Sequence, residues 1–340
     1  MTDRRNPVIV ISRVIGMMFI VICHIIKYYS FIPGSESLGM FFNCGVDMFI
    51  FISGYLYGTK IINGFKKWYA KRALTVSIPA ILVSIVFIII LFVCNYTVSL
   101  KTVLLYCFDL EGLLMTSWRL VDSIFSGIPG LGPMWFTTVI MLCYLIVPLL
   151  QKITKRIKNY YITLAFVLII GMILSFITDG YFSLLYFTIF TIGYCCGKIR
   201  VLEKVNSVAF IVCLVLFIIT AVGRYYLHST MDDTLMYYCF TSVQSLVAGL
   251  FIVVLISFIH FKKPNWISRI AQSKLVVILE KYSFYIYLIH GIFCMGYFNV
   301  YDKISLLPAT CIFLVSTIAF SYLTKWLTGV CCNPLLRLLR

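Results

Sequence analysis

Long apolar runs separated by charged connections organise this chain. The runs cover about 7–29, 38–59, 74–95, 134–150, 160–177, 181–197, 207–227, 237–260, 282–300 and 306–328. Each is long enough to cross roughly 30 Å of hydrocarbon as a helix, which takes about 17–25 residues. None shows the alternation of apolar and polar residues that marks a membrane β-strand, so the runs predict helices. The expected fold is an all-α integral membrane protein, a bundle of about ten transmembrane helices.

The charges between the runs fall into two alternating sets. One set of connections is basic: Arg4 and Arg5; Lys60, Lys66, Lys67, Lys71 and Arg72; Lys152, Lys155, Arg156 and Lys158. It continues with Lys198, Arg200 and Lys204, then Lys262, Lys263, Arg269, Lys274 and Lys281, and ends with Arg337 and Arg340. The other set carries mostly acids: Glu36, Asp109, Glu111, Asp122, Asp179, Asp232, Asp233 and Asp302. Because basic connections stay in the cytoplasm, the alternation orients the bundle with both termini cytoplasmic. One outer connection, about 96–133, is long and moderately apolar (Leu104, Leu105, Leu113, Leu114, Trp118, Ile124, Phe125), and predicts a partly re-entrant or surface-lying segment. There is no repeat or linker, so residues 1–340 read as one domain.

Composition agrees: 62% of residues are hydrophobic and only 12% charged, which leaves no room for a sizeable soluble domain. The net charge of +16 does not signal nucleic acid, because the basic residues recur between apolar runs instead of forming one patch. The 13 cysteines form no CxxC pair or metal-ligand spacing, and most sit inside apolar runs as small hydrophobes. The first run holds Arg13 and has no A-x-A-like site, so it is not a cleavable signal.

Ionisable residues inside a span are costly and usually face the bundle interior. Three stand out: Arg13 and His24 in the first run and Asp47 in the second. Eleven positions at 100° each make about three turns plus 20°, so Arg13 and His24 share a face, roughly 16 Å apart along the axis. Asp47 lies roughly 20 Å from the cytoplasmic side and His24 roughly 25 Å, so the two side chains can meet. Each residue also has a structural reading. Arg13 can snorkel to the inner interface, His24 can be a satisfied polar residue, and Asp47 can pair structurally with either. Three such groups on adjacent spans point to a site. His290 can line the same cavity or make a helix-packing hydrogen bond, and Ser53-Gly54 lets a helix or ligand approach closely. Four histidines on four spans do not suggest a metal site.

These residues resemble the membrane acyltransferase-3 family, the bacterial multi-span O-acyltransferases. Arg13-x10-His24 matches the family's Arg/Lys-x10-His signature. Gly45-Val46-Asp47-Met48-Phe49-Ile50-Phe51-Ile52-Ser53-Gly54-Tyr55-Leu56 is similar to its GVD block. A basic stretch then leads to Arg72 and Pro79, Pro133-Met134-Trp135-Phe136 resembles the LWF element, and Tyr285-x-Tyr287-Leu288-Ile289-His290 the closing element. Family members often carry a second arginine before the proline. Here Thr75 or Val76 stands in that region, with Lys71 as the alternative basic partner. With no fused extracellular hydrolase-like domain, the chain resembles the stand-alone subclass.

The resemblance implies transfer of an acyl group, most often acetyl, from cytoplasmic acyl-coenzyme A to a hydroxyl of a glycan or lipid-linked sugar, in a bacterial cell membrane. Acyl-CoA is then a donor substrate, and no permanently bound cofactor is expected. Arg13, Lys71 and Arg72 are the candidates for the donor's phosphates. His24 is the candidate general base, with Asp47 fixing its tautomer, and Ser53, Trp135 and His290 are further cavity candidates. A transporter or flippase of a lipid-linked sugar is the runner-up. It lacks paired Gly/Pro-interrupted spans in two corresponding halves. A catalytically dead sensor or scaffold of the same fold is a third class, against which the intact Arg-x10-His pattern argues.

Overall fold

The computed structural model describes residues 6–28, 39, 41–115, 127–157, 159–177, 185–230 and 235–339. Among them the chain is helical, with no strand. The helices are α1 (Pro7–Tyr28), α2 (Cys44–Gly58), α3 (Phe65–Thr75), α4 (Ser77–Val93), α5 (Leu100–Cys107), α6 (Glu111–Met115), α7 (Trp135–Leu145) and α8 (Val147–Arg156). They continue with α9 (Tyr160–Ile177), α10 (Leu185–Lys198), α11 (Ser207–Thr230), α12 (Leu235–Lys262), α13 (Pro264–Gln272), α14 (Lys274–Cys294) and α15 (Leu306–Leu338).

Seven stretches among the described residues are long and apolar enough to cross a membrane: Pro7–Ile26, Phe65–Val93, Gly132–Arg156, Ser207–Thr230, Phe240–Lys262, Lys274–Cys294 and Leu306–Leu338. The remaining runs, about 38–59, 160–177 and 181–197, correspond to shorter apolar stretches, of which α2 has 15 residues and α10 has 14. Many large apolar side chains on α9, α11 and α15 are exposed, as lipid-facing helices require.

Two boundaries differ from the hydropathy reading. The third run begins at Phe65, not near 74, because α3 continues into α4 across a single break at Val76 (φ −121°, ψ −63°). Thr75 donates its hydroxyl to the carbonyls of Lys71 and Arg72, capping the first segment, so both basic residues sit on a helix and not in a loop. The ninth run is displaced to Lys274–Cys294, which brings Glu280 and Lys281 onto the helix. An apolar window misses both segments because their N-terminal ends carry charged residues, Lys66, Lys67, Lys71 and Arg72 in one and Lys274, Glu280 and Lys281 in the other.

The long connection bends back into the protein in the part that is described. Asp109 and Glu111, assigned by charge to an outer loop, are only 6% and 2% exposed. Asp109 Oδ1 accepts from Thr137 Oγ1 at 2.5 Å, and Thr138 Oγ1 donates to the Asp109 carbonyl at 2.8 Å. Arg4, Arg5, Glu36, Trp118, Asp122, Ile124, Phe125, Lys158, Asp179, Asp232, Asp233 and Arg340, which entered the sequence argument, lie outside the described residues.

Helix α2 is the axis of the fold. It packs against α1, α10 and α12, most extensively against α10. The α2–α10 seam is made of two interlocked Gly-x-x-x-Gly pairs. A methyl group added at Gly54 or Gly58 would overlap the Phe190 or Tyr194 carbonyl oxygen, and one at Gly193 or Gly197 would overlap that of Phe51 or Tyr55. In lipid, helices associate through such close backbone packing, since burial of apolar surface gains nothing there.

Candidate active site

Packing of α1 on α2 decides which way the polar residues face. Gly45 lies directly against the Gly16 carbonyl oxygen, and Phe49, four residues on, also faces Gly16. Asp47 is two residues beyond Gly45, about 200° around the helix, and therefore turns away from α1. It is 5% exposed and its Oδ2 accepts from Ser245 Oγ of α12 at 2.5 Å. Asp47 thus accepts from the Ser245 hydroxyl and not, as expected, from the His24 imidazole, because the glycine contact fixes the rotation of α2.

The His24 ring instead meets α14. His24 Nδ1 is 2.7 Å from His290 Nε2, with the ring centroids 5.0 Å apart and the ring planes within 22° of parallel, so the two rings meet edge to edge. His290 is fully buried, and its Nδ1 is 2.6 Å from the Tyr287 carbonyl oxygen. Tyr287 is anchored in turn, its phenol donating to the Pro133 carbonyl and its ring 5.3 Å from that of Phe136.

A cavity of about 590 Å³ lies beside this region, and neither His24 nor His290 is among the residues that line it. Arg13, Lys60 and Arg72 line it at the charged end, and Ser53, Tyr57, Trp68, Phe136, Tyr144 and Phe284 form much of its wall. Tyr287 also lines it, and His290 lies one helical turn further along α14. The Arg72 guanidinium sits 5.6 Å from the centre of the Tyr57 ring, and its buried Nε has no hydrogen-bond partner among the described residues. Arg13 points its guanidinium to Glu280 Oε1 at 3.2 Å.

Of the residues singled out in the sequence, Arg13, Arg72 and Ser53 share this cavity. Lys71 is on the same helix as Arg72 but not among the lining residues. Trp135 packs on Tyr186 with ring centroids 5.0 Å apart, and its carbonyl oxygen occupies the space a methyl group on Gly112 would need. Two residues of the site escaped the sequence reading. Ser245 was hidden as one hydroxyl in an apolar helix, although Gln244-Ser245 is a polar pair inside a long apolar run. Glu280 was passed over as one acid inside a basic stretch. Its position two residues before the aromatic run of α14, which begins at Tyr282, was the available signal.

The arrangement joins a cationic mouth to an aromatic-walled cavity that reaches Tyr287, with the imidazole pair one turn of α14 further on. The chain matches no curated protein and no solved structure. Residues 9–326, nearly the whole chain, match the family model described as an acyltransferase domain. The motifs and the match agree: the chain is a membrane acyltransferase, a member of the acyltransferase-3 family.

Proposed function

We propose that this protein transfers an acyl group, acetyl in the simplest case, from cytoplasmic acyl-CoA to a hydroxyl of a cell-envelope or extracellular glycan. On this reading the bundle crosses a bacterial cell membrane about ten times, counting the three shorter apolar stretches, with both termini cytoplasmic. The observation that carries the proposal is the cavity running from Arg13, Lys60 and Arg72 to Tyr287, beside the His24–His290 pair. Arginine forks bind phosphate oxygens by charge-assisted, bidentate hydrogen bonds, so the charged mouth suits the phosphates of coenzyme A. The thin pantetheine arm would then follow the aromatic wall of the cavity. The roughly 16 Å rise from Arg13 to His24 along α1 is of the order of its reach.

In the reaction the acceptor's hydroxyl oxygen attacks the thioester carbonyl. A C–O bond forms, the C–S bond breaks, and the sulfur leaves as the coenzyme A thiolate. His24 takes the hydroxyl proton as the bond forms and returns it to the sulfur, so the products are an ester and free coenzyme A. A sugar hydroxyl is a weak nucleophile at neutral pH, and imidazole titrates near neutrality, which suits it to both steps. Asp47, through Ser245, positions α2 against α12 and keeps Ser53 and Phe49 on the cavity side.

The test is an assay on membranes containing the protein, supplied with acyl-labelled acetyl-CoA and a glycan fraction. Label is expected in base-labile ester linkage on the glycan. Movement of a lipid-linked sugar without acylation would make the protein a carrier and end the proposal.

A further inference from the structure

We infer that His290 sets the tautomer of His24, through a chain of hydrogen bonds that begins at the Tyr287 carbonyl, and so leaves the base's lone pair on His24 Nε2. The kinetic consequence rests on the acyl-transfer reading above, whereas the tautomer itself follows from geometry alone.

The argument starts from the group with no choice. A backbone carbonyl only accepts, so the 2.6 Å contact between Tyr287 oxygen and His290 Nδ1 requires a hydrogen on Nδ1. A neutral imidazole has one N–H, so His290 Nε2 then carries a lone pair. That lone pair faces His24 Nδ1 at 2.7 Å, and the contact is a hydrogen bond only if His24 Nδ1 carries the hydrogen. The His24 ring is left with its own lone pair on Nε2. This is the less populated tautomer of a free imidazole in water, so holding it requires a partner such as His290.

The neutral form of His290 is the one the surroundings accept. The residue is fully buried and its bonded neighbours are a carbonyl and an imidazole, neither of which carries a negative charge. A charge placed there without an anionic partner is costly. A doubly protonated His290 would donate to His24 and push the remaining His24 proton onto Nε2, removing the base. The start of the chain is also fixed in space. Tyr287 is clamped by its phenol on the Pro133 carbonyl, and the three-residue step to His290 folds Nδ1 back over the same helical turn. Asp47, the group expected to orient His24, is engaged with Ser245. His290 is therefore the positioning residue for His24, in the part a carboxylate plays in hydrolase triads.

The experiment uses the full chain in lipid nanodiscs with 15N-labelled histidine. The chain has only four histidines, His24, His228, His260 and His290, so single substitutions assign the ring nitrogens. We expect His24 to show a protonated Nδ1 and an unprotonated Nε2, with scalar coupling across the Nδ1–H···Nε2 bond to His290. In His290→Ala the His24 proton should move to Nε2. An unsubstituted protein with His24 protonated on Nε2 would overturn the inference. The second arm is turnover. His290→Ala should lower kcat about 10²–10⁴-fold with the donor KM unchanged. His290→Gln, whose side-chain oxygen can accept from His24 Nδ1, should stay within about tenfold of the parent. Equal losses in both variants, with the His24 tautomer unaltered, would reduce His290 to a packing residue. If the unsubstituted protein transfers no acyl group at all, the acyl-transfer reading fails, and the tautomer spectrum alone decides this one.

Discussion

Arg13 and Glu280 join α1 to α14 through a 3.2 Å ion pair whose two ends differ in exposure, 35% for the arginine side chain against 9% for the glutamate. Arg13 lines the aromatic-walled cavity that reaches Tyr287, while Glu280 lines a separate cavity with Arg269 and Gln272. The guanidinium is held on one edge by the carboxylate and presents its remaining donors to the aromatic-walled cavity. Arg13→Ala is expected to raise the donor KM about 10–100-fold, as loss of a charge-assisted hydrogen bond does. Arg13→Lys should recover part of the affinity, because it keeps the charge and loses the fork. Initial rates with acetyl-CoA as the varied substrate decide this; an unchanged KM would leave Arg13 with the ion pair alone.

Arg72 and Lys71 are neighbours in sequence with different surroundings. Arg72 lines the aromatic-walled cavity under the Tyr57 ring, and Lys71 does not line it. Arg72→Ala should therefore weaken donor binding about tenfold or more, and Lys71→Ala by less than about twofold, as for a solvated charge. Titration of each variant with a non-hydrolysable acyl-CoA analogue measures the difference directly. Equal effects at the two positions would contradict the assignment.

The Asp47–Ser245 bond predicts a stability effect more than a catalytic one. Ser245→Ala leaves a buried carboxylate without its donor, at a cost of about 1–3 kcal/mol, and should lower the melting temperature of the purified protein. Asp47→Asn keeps an oxygen to accept from Ser245 and should remain folded, with turnover within about tenfold of the parent. A well-folded Asp47→Asn protein with no activity would return this carboxylate to the chemistry.

The α2–α10 seam tolerates no side chain. Gly54→Val or Gly193→Val drives carbons into a facing carbonyl, and either should abolish the monodisperse peak on fluorescence-detected size exclusion. Gly132→Ala is the control, since nothing lies within 4 Å of a methyl group there. Normal elution of the Gly54 variant would show that the two helices separate more easily than their packing implies.

Hydropathy made the helical membrane fold legible, and the 11-residue spacing puts Arg13 and His24 on one face of α1. The rotation of Asp47 was also encoded: Gly45, two positions earlier, is the residue that can touch α1. The spacing argument measured depth and ignored azimuth. His290 was visible as a polar residue in an apolar run, but no local pattern reports a partner 266 positions away. Charge alternation assigned Asp109 and Glu111 to a side but carried no information on their burial, because it reads only the sign of a charge, whereas threonines on α7 supply Asp109 with hydrogen bonds inside the protein. Arg72 could not be separated from Lys71 because the facing of α3 depends on the break at Val76.

The central claim is that His24 performs the proton transfer in acyl transfer from acyl-CoA. The most direct measurement uses purified protein in proteoliposomes, acyl-labelled acetyl-CoA and an acceptor glycan, comparing the parent with His24→Ala. The parent should label the glycan. The His24→Ala protein, inserted and eluting normally and binding the donor with unchanged affinity, should transfer at least about 10²-fold more slowly. Transfer at the parental rate by His24→Ala would contradict the account.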